Sequence, residues 1–241
     1  MADMRSDTRG FIHIVTLALI LLVLVGLGMA AGIVAGYLKN APSVEDVDVE
    51  ARRVLPTVVY DVNGNVLTKL KIEDRQWVRL ADIPQHLIDA VIAVEDHRFY
   101  EHHGISVRRI LGALWYDIRH LSDDQGGSTI TAQLARNVFL SHEKTISRKI
   151  WEALYAFQLE RRYTKDEILE FYLNWVYFGH GTYGVQAASN LFFGKPVDQL
   201  TLGEATLLAG IPKGNELYSP IKNEQTRQNG LNRRKIVLSR M

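Results

Sequence analysis

The first candidate for chemistry is a glutamate at the end of a predicted helix. Apolar residues recur at helical spacing after Pro84, and Glu95 follows Val91 by four positions, so it continues the apolar face. A carboxylate on that face has either a buried cationic partner or a raised affinity for a proton, which a general base needs. The alternative is a helix-terminal acid that points to solvent. The next residue, Asp96, supports the turn or shares the proton chemistry.

Three histidines follow this acidic pair, at His97, His102 and His103. Their clustering suggests a metal site, but the sequence has no HExxH or comparable ligand spacing. Structural histidines or hydrogen-bond donors are therefore favoured.

The second candidate is the segment GGSTITAQLARN at residues 126–137. Two glycines lead into Ser128 and Thr129, which are favourable N-cap residues for a following helix. Such a helix start presents free backbone N–H groups at a positive dipole end and can hold an anion. Arg136 and Asn137 lie about two turns further on. A glycine loop before a capped helix is common, so this segment alone is a weak signal.

The third candidate is RKIWE at residues 148–152. Glu152 follows Arg148 by four positions and Lys149 by three, and this spacing alone favours a surface ion pair worth roughly a few tenths of a kcal/mol. The basic residues nearby argue for more, because the net charge of the whole chain is only +1. A bound anion such as a pyrophosphate would explain why further cations gather in this region, at Arg136, Lys144, Arg161 and Arg162.

Composition restricts the class of protein. The chain has 241 residues, 47% of them hydrophobic, and its 28 basic and 27 acidic side chains nearly cancel. This size predicts one well-buried domain with an appendage, and the charge balance argues against nucleic acid as a partner. The absence of cysteine excludes disulfides, thiolate nucleophiles and thiolate metal sites.

An uncharged segment from Phe11 to Tyr37 exceeds the ~20 apolar residues that a membrane-spanning helix needs. Arg5 and Arg9 precede it and an acidic run follows Lys39, so the positive-inside rule keeps residues 1–10 in the cytoplasm and exports the rest. The alternative is a cleaved signal peptide. Its apolar region is usually shorter, although small residues near the end of the segment keep this alternative open.

Beyond the predicted transmembrane helix at 11–37, the polar and acidic stretch at 38–52 is typical of a linker, and one domain fills residues 53–241. Its start carries a hairpin signal at 57–70, two β-branched runs separated by Asn63-Gly64. Helical spacing dominates after that, and capping residues mark helix starts at Thr145, Thr164 and Thr201. The predicted fold is mainly α, with a small N-terminal β-hairpin and a single transmembrane helix in front.

Five segments, taken in order, resemble the motifs of glycosyltransferase family 51, the peptidoglycan polymerase domain of bifunctional penicillin-binding proteins and of monofunctional glycosyltransferases. EDHRFYEHHG at 95–104 fits EDxxFxxHxG, and GGSTITAQ at 126–133 is similar to GxSTIxQQ. RKIWE at 148–152 fits RKxxE, KDEILEFYLN at 165–174 fits KxxILxxYxN, and RRKIVL at 233–238 fits RRxxVL. The resemblance covers roughly residues 53–241.

This resemblance implies a lysozyme-like, mainly α fold with a membrane-embedded lobe, acting on lipid II and a growing lipid-linked glycan strand. It implies inversion at the donor anomeric carbon, β-1,4 strands, release of undecaprenyl pyrophosphate, a divalent cation (Mg²⁺ or Mn²⁺) and inhibition by moenomycin. The implied partners are membrane lipid and proteins of cell-wall synthesis, division or elongation, with no nucleic acid. The implied location is the outer face of a bacterial cytoplasmic membrane. The chain stops just after its last motif, and we expect a longer bifunctional protein, with a short monofunctional enzyme as the alternative.

Family resemblance also implies roles for single residues. Glu95 is the expected general base, and Glu152 is the second essential carboxylate and a candidate metal ligand. Substrate binding is expected from a larger set: Asp96, Phe99, His102, Ser128, Thr129, Gln133, Arg136, Asn137, Lys144, Arg148, Lys149 and Asn174. Residues 105–121 are a candidate membrane-facing amphipathic patch, or else an ordinary packing helix.

Two positions depart from the family pattern. Ala132 stands where a glutamine is usual and loses a polar contact near the expected donor site, whereas Arg136 replaces a lysine and keeps the charge. Two other classes of protein stay open. A lysozyme-like hydrolase would shorten finished glycan and have no use for diphosphate-binding cations; a non-catalytic cell-wall scaffold would have no need for both glutamates.

Overall fold

The computed structural model describes residues 3–41, 43, 45, 48–49, 57–70, 74–105, 128–140 and 145–241. Contacts divide the chain into two units, Met1–Ala41 and Pro42–Met241. The first unit holds one helix, α1 (Asp3–Lys39), whose described apolar side chains between Ile14 and Met29 are exposed. Among the described residues, no helix combines the length and the apolarity needed to cross a bilayer.

The described part of the second unit is mainly helical, as predicted, while the lysozyme-like arrangement stays a prediction. Its longer helices are α2 (Gln85–Glu95), α3 (Ile130–Phe139), α4 (Ile146–Arg162), α5 (Lys165–Trp175), α6 (Val185–Phe193), α7 (Leu202–Gly210), α8 (Asn215–Tyr218) and α9 (Glu224–Arg240). Short 3₁₀ turns lie at Leu80–Asp82, Phe99–Glu101, Val197–Gln199 and Ile211–Lys213. The strands are β1 (Thr57–Tyr60), β2 (Val66–Leu70), β3 (Asp74–Arg75), β4 (Tyr177–Gly179) and β5 (Thr182–Tyr183).

Threonine caps start four of these helices where the sequence predicts them. Each side chain accepts a hydrogen bond from a backbone N–H in the first turn and so satisfies a donor that has no partner inside the helix. Thr164 and Thr201 also form complete capping boxes with Glu167 and Glu204. The other two capping residues are Thr129, at the start of α3, and Thr145, at the start of α4.

The predicted hairpin is confirmed. Strands β1 and β2 pair antiparallel, with a register shift between Val59 and Tyr60. Asp61 holds the turn, because one of its carboxylate oxygens accepts from the backbone N–H groups of Asn63 and Asn65, each at 2.8 Å. A second sheet, ordered β3-β5-β4, was not predicted. Its strands have two or three residues, too few to show an alternating pattern.

The core of this unit surrounds α2 and α5. Leu87 on α2 and both Ile168 and Leu169 on α5 are fully buried, and α2 packs against α7 and α9. Val49, predicted to lie in the linker, is also fully buried, and its N–H donates to the Tyr163 hydroxyl at 3.3 Å. At this point the predicted linker belongs to the domain.

A close backbone approach fixes the loop that follows α2. Gly104 has φ +84°, and a β-carbon there would lie 2.9 Å from the carbonyl oxygen of Ala156 in α4. Both the left-handed backbone and the contact therefore require glycine. The Gly104 carbonyl in turn accepts a hydrogen bond from Thr129 at 2.5 Å, which ties the loop to the start of α3.

We predict that Gly104→Ala lowers the free energy of unfolding by about 3 kcal/mol, because strain and overlap with α4 add. Gly64→Ala is the matched control, since Gly64 has φ +82° and nothing lies within 4 Å of a β-carbon at that position. It should cost about 1 kcal/mol. Urea unfolding of both variants measures the difference. Equal decreases in the free energy of unfolding would show that the contact with Ala156 does not contribute to the effect.

Candidate active site

Glu95, the last residue of α2, has its carboxylate turned inward. Its Oε2 accepts a hydrogen bond from Nε2 of Gln133 at 2.8 Å. Its Oε1 is buried and has no hydrogen-bond partner within the described residues. The alternative of an acid pointing to solvent is therefore wrong, and one oxygen of this carboxylate is available to take a proton.

Gln133 on α3 connects Glu95 to Tyr172 on α5. The Tyr172 hydroxyl donates to the Gln133 amide oxygen at 3.3 Å. Burial raises the pKa of Tyr172 well above its usual value; the negative charge of Glu95 raises it further, while Arg136 lowers it. Tyr172 thus stays a neutral donor, and Arg136 acts electrostatically on the same group of side chains.

Asp96 joins the end of α2 to the start of α3. The buried Asp96 carboxylate accepts the backbone N–H of Ile130 at 3.1 Å, and the same Oδ2 lies 2.8 Å from Nε2 of His102. Negative charge at a helix N-terminus is stabilised by the helix dipole. The start of α3 was predicted to bind an anion through its free N–H groups. At Ile130, that N–H group is already bonded to a carboxylate of the protein itself.

The second carboxylate, Glu152, lies on α4 and is only 2% exposed. Arg148 donates to its Oε1, and Lys149 donates to its Oε2 at 2.8 Å. The expectation of a surface ion pair, drawn from spacing alone, is therefore wrong. Lys149 also donates to the Ser128 hydroxyl at 3.0 Å, so the cationic cluster reaches the residue before the α3 cap.

A third buried carboxylate, Glu160, was missed by the sequence analysis. Thr131 on α3 donates to it at 2.6 Å and Lys165 on α5 donates to it at 2.7 Å. The Lys165 ammonium also lies 4.5 Å from the centre of the Phe99 ring. This network fastens α3, α4 and α5 to the turn after α2 and so holds both candidate carboxylates in place.

Three of the residues predicted to bind substrate are buried and engaged within the protein. Phe99 is completely buried in the core and Asp96 is engaged at the α3 N-terminus. Asn174 is also completely buried, and its amide donates to the carbonyls of Val78 and Glu170 and accepts from the Val78 N–H. These contacts favour a structural role for the three residues.

The remaining predicted residues divide into two groups. Arg136 and Asn137 are partly buried on α3, and Thr129 is buried as its N-cap. Ala132 is buried among core side chains. Lys144, and the candidate amphipathic patch from residue 106 onward, lie outside the described residues.

Glu152 does not fit a metal ligand. Both of its carboxylate oxygens accept hydrogen bonds from cations. Over the described ranges, no three or more His, Cys, Asp or Glu side chains are grouped to hold a metal ion.

Arg233 and Tyr172 complete the surroundings of Glu95, and neither was assigned a role from the sequence. Arg233 lies on α9 within a segment that the motif pattern singled out. Burial lowers the pKa of Arg233, and the nearby charge of Glu95 raises it. No local sequence signal could have placed α9 beside the end of α2, because these elements are far apart in the chain.

Together these elements place the Glu95 carboxylate and the cationic cluster around Glu152 beside the N-terminal half of one short helix, α3. A family model described as "Transglycosylase" matches residues 63–241. The chain belongs to this transglycosylase family.

Similar proteins include penicillin-binding protein 2D of Bacillus subtilis, 50% identical over 70% of this chain and 24% of its own length. Penicillin-binding protein 1A/1B of the same organism is 42% identical over 92% of this chain and 24% of its own length. The chain thus spans about a quarter of the length of these relatives. The crystal structure of penicillin-binding protein 1A from Haemophilus influenzae aligns with 77% of this chain and 18% of its own, at 26% identity and a TM-score of 0.40.

We predict that Arg148→Met destabilises the protein more than Lys149→Met does. Arg148 is largely buried beside Glu152, whereas the Lys149 side chain is 53% exposed. Removing the buried partner leaves an uncompensated buried carboxylate, which costs about 3 kcal/mol or more. The exposed lysine should account for about 1 kcal/mol at most. Urea unfolding at neutral pH compares them, and a larger loss for Lys149→Met would contradict this account of the cluster.

Proposed function

We propose that this chain is a peptidoglycan glycosyltransferase domain that polymerises lipid II into β-1,4 glycan strands and releases undecaprenyl pyrophosphate. The proposal rests on the observation that α3 contacts both the candidate base and the cationic cluster. Its N-terminal side contacts Lys149 through Ser128, and its middle contacts Glu95 through Gln133. A candidate base and a candidate diphosphate site are therefore held by one rigid element. Transglycosylase family membership supports the same activity.

Glu95 is the general base in this proposal. Its Oε1 accepts the proton of the 4-hydroxyl of the incoming lipid II while that oxygen forms a bond to C1 of the strand terminus. The bond between C1 and the diphosphate oxygen breaks, its electron pair leaves with the diphosphate, and the anomeric configuration inverts. Gln133 keeps Oε2 occupied at 2.8 Å, so the carboxylate is oriented before the substrate arrives.

Cations stabilise the departing diphosphate, which needs no proton donor because it is a weak base. Lys149 and Arg148 lie around Glu152 at the α3 start, and Arg136 lies further along α3. Glu152 therefore acts by ordering these cations, not as the general acid of an inverting glycosidase. We propose that Mg²⁺ or Mn²⁺ would act together with these cations to stabilise the charge that develops on the departing diphosphate.

The anchor and the location complete the proposal. The segment from Phe11 to Tyr37 has no charged residue and lies within the continuous helix α1. We propose that it holds the domain at the outer face of a bacterial cytoplasmic membrane, where substrates with polyprenyl tails reside. We also propose that the domain works within a bifunctional penicillin-binding protein and alongside other proteins of cell-wall synthesis. The names of the similar proteins support this context.

The decisive experiment incubates the purified chain with labelled lipid II and a divalent metal and measures product length with and without moenomycin. Long strands that moenomycin suppresses are expected. Shortening of preformed glycan, without synthesis from lipid II, would replace the proposal by a hydrolase, and no change in either substrate would favour a scaffold.

We predict that Glu95→Gln abolishes polymerisation while the fold and moenomycin binding persist, since the amide cannot take the proton. Glu101→Gln is the control, because the Glu101 side chain is 59% exposed and forms an ion pair with Arg98 on the surface. It should polymerise at the parental rate. Polymerisation by Glu95→Gln would refute the base assignment. Glu152→Gln should lose activity severely, and unchanged turnover at all Mg²⁺ concentrations would remove Glu152 from the site.

A further inference from the structure

The C-terminal helix α9 reaches the end of α2, immediately beside Glu95. Arg240 on α9 donates from Nη1 to the carbonyl oxygen of Val94 at 3.2 Å, across 146 residues of sequence. The last carbonyls of a helix have no partner inside it. A cation at that end also meets the negative pole of the helix dipole. Arg240 therefore secures the backbone one residue before Glu95.

Arg233 lies two turns before Arg240 on the same face of α9, with the completely buried Val237 between them. Its side chain has a fixed path, because a β-carbon at Gly210 on α7 would lie only 2.8 Å from the Arg233 Cγ. Its Nε is buried and has no hydrogen-bond partner within the described residues. Because Gly210 has no side chain, the aliphatic part of Arg233 can pack against α7 and bring its Nε into the interior.

We infer that α9 positions the candidate base: Arg240 fixes the backbone at the end of α2, and Arg233, two turns earlier on the same face of α9, places a half-buried positive charge near Glu95. The electrostatic coupling between Arg233 and Glu95 supports this pairing. A half-buried carboxylate without an ion-pair partner is costly, and a cation held nearby offsets part of that cost and favours one orientation of the carboxylate. The inference rests on the proposed function for the role of Glu95 as base. Arg233 and Arg240 are positioning residues, since they act through Glu95.

The test compares Arg233→Met, Arg233→Lys and Arg240→Met with the parent chain. Arg227→Met is the matched control, because Arg227 also lies on α9, is exposed and pairs with Glu224. On lipid II, Arg233→Met should lower kcat by about tenfold to a hundredfold with little change in KM, and Arg233→Lys should recover most of the loss. A purely structural arginine would not show this split or this rescue by charge. Arg227→Met should match the parent.

A second measurement needs no activity. Hydrogen exchange at the backbone amides of residues 95–99 should be about fivefold faster in Arg240→Met than in the parent, and unchanged in Arg227→Met. If Arg240→Met exchanged at the same rate as the parent chain, or if Arg233→Met had the same kcat as the parent chain, the inference would be overturned and the proposed function would remain intact. A parent chain that does not polymerise lipid II would refute the proposed function, and the exchange rates would still decide whether α9 secures this end of α2.

Discussion

The arrangement depends on one buried carboxylate, that of Asp96, and on its bond to the first N–H of α3. Through this bond the end of α2 is joined to the start of α3, and His102 shares the same oxygen. Because Glu95 is the neighbour of Asp96, its backbone is fixed relative to α3. Gln133 lies less than one turn beyond Ile130 on that helix and can therefore meet the Glu95 carboxylate. The main contribution of Asp96 is therefore to set the position of α2 relative to α3.

The buried charges of this domain are arranged so that each carboxylate has a distinct set of partners. Glu152 is held by Arg148 and Lys149, and Glu160 by Lys165 together with Thr131. Such groups persist in an interior only when their hydrogen bonds and countercharges are complete. Glu95 differs, because one of its oxygens is fully buried and yet has no hydrogen bond to any described residue. This buried acceptor without a partner sets Glu95 apart from Glu152 and Glu160 and fits the role of proton acceptor proposed for it.

Local signals in the sequence were sufficient for several of the helices and for the hairpin. Threonine caps, apolar spacing and the Asn63-Gly64 turn act within a few residues, and the structure has each of them where it was predicted. Burial was harder to predict, since the spacing of Arg148 and Glu152 is the same on a surface and in an interior. Contacts across the chain were out of reach altogether. The amide of Asn174 binds Val78 across 96 residues, so its structural position could not be distinguished from a substrate contact.

Because α3 contacts both Glu95 and Lys149, it also limits how this domain can move. A helix of ten residues behaves as a stiff rod, and this one holds Glu95 through Gln133 and approaches Lys149 through the residue that precedes its cap. A displacement that carries the rod away from one of these partners must change its distance to the other. In the proposed mechanism, proton abstraction and leaving-group stabilisation would then be gained or lost together, and cleavage of the donor bond without an activated acceptor would be disfavoured.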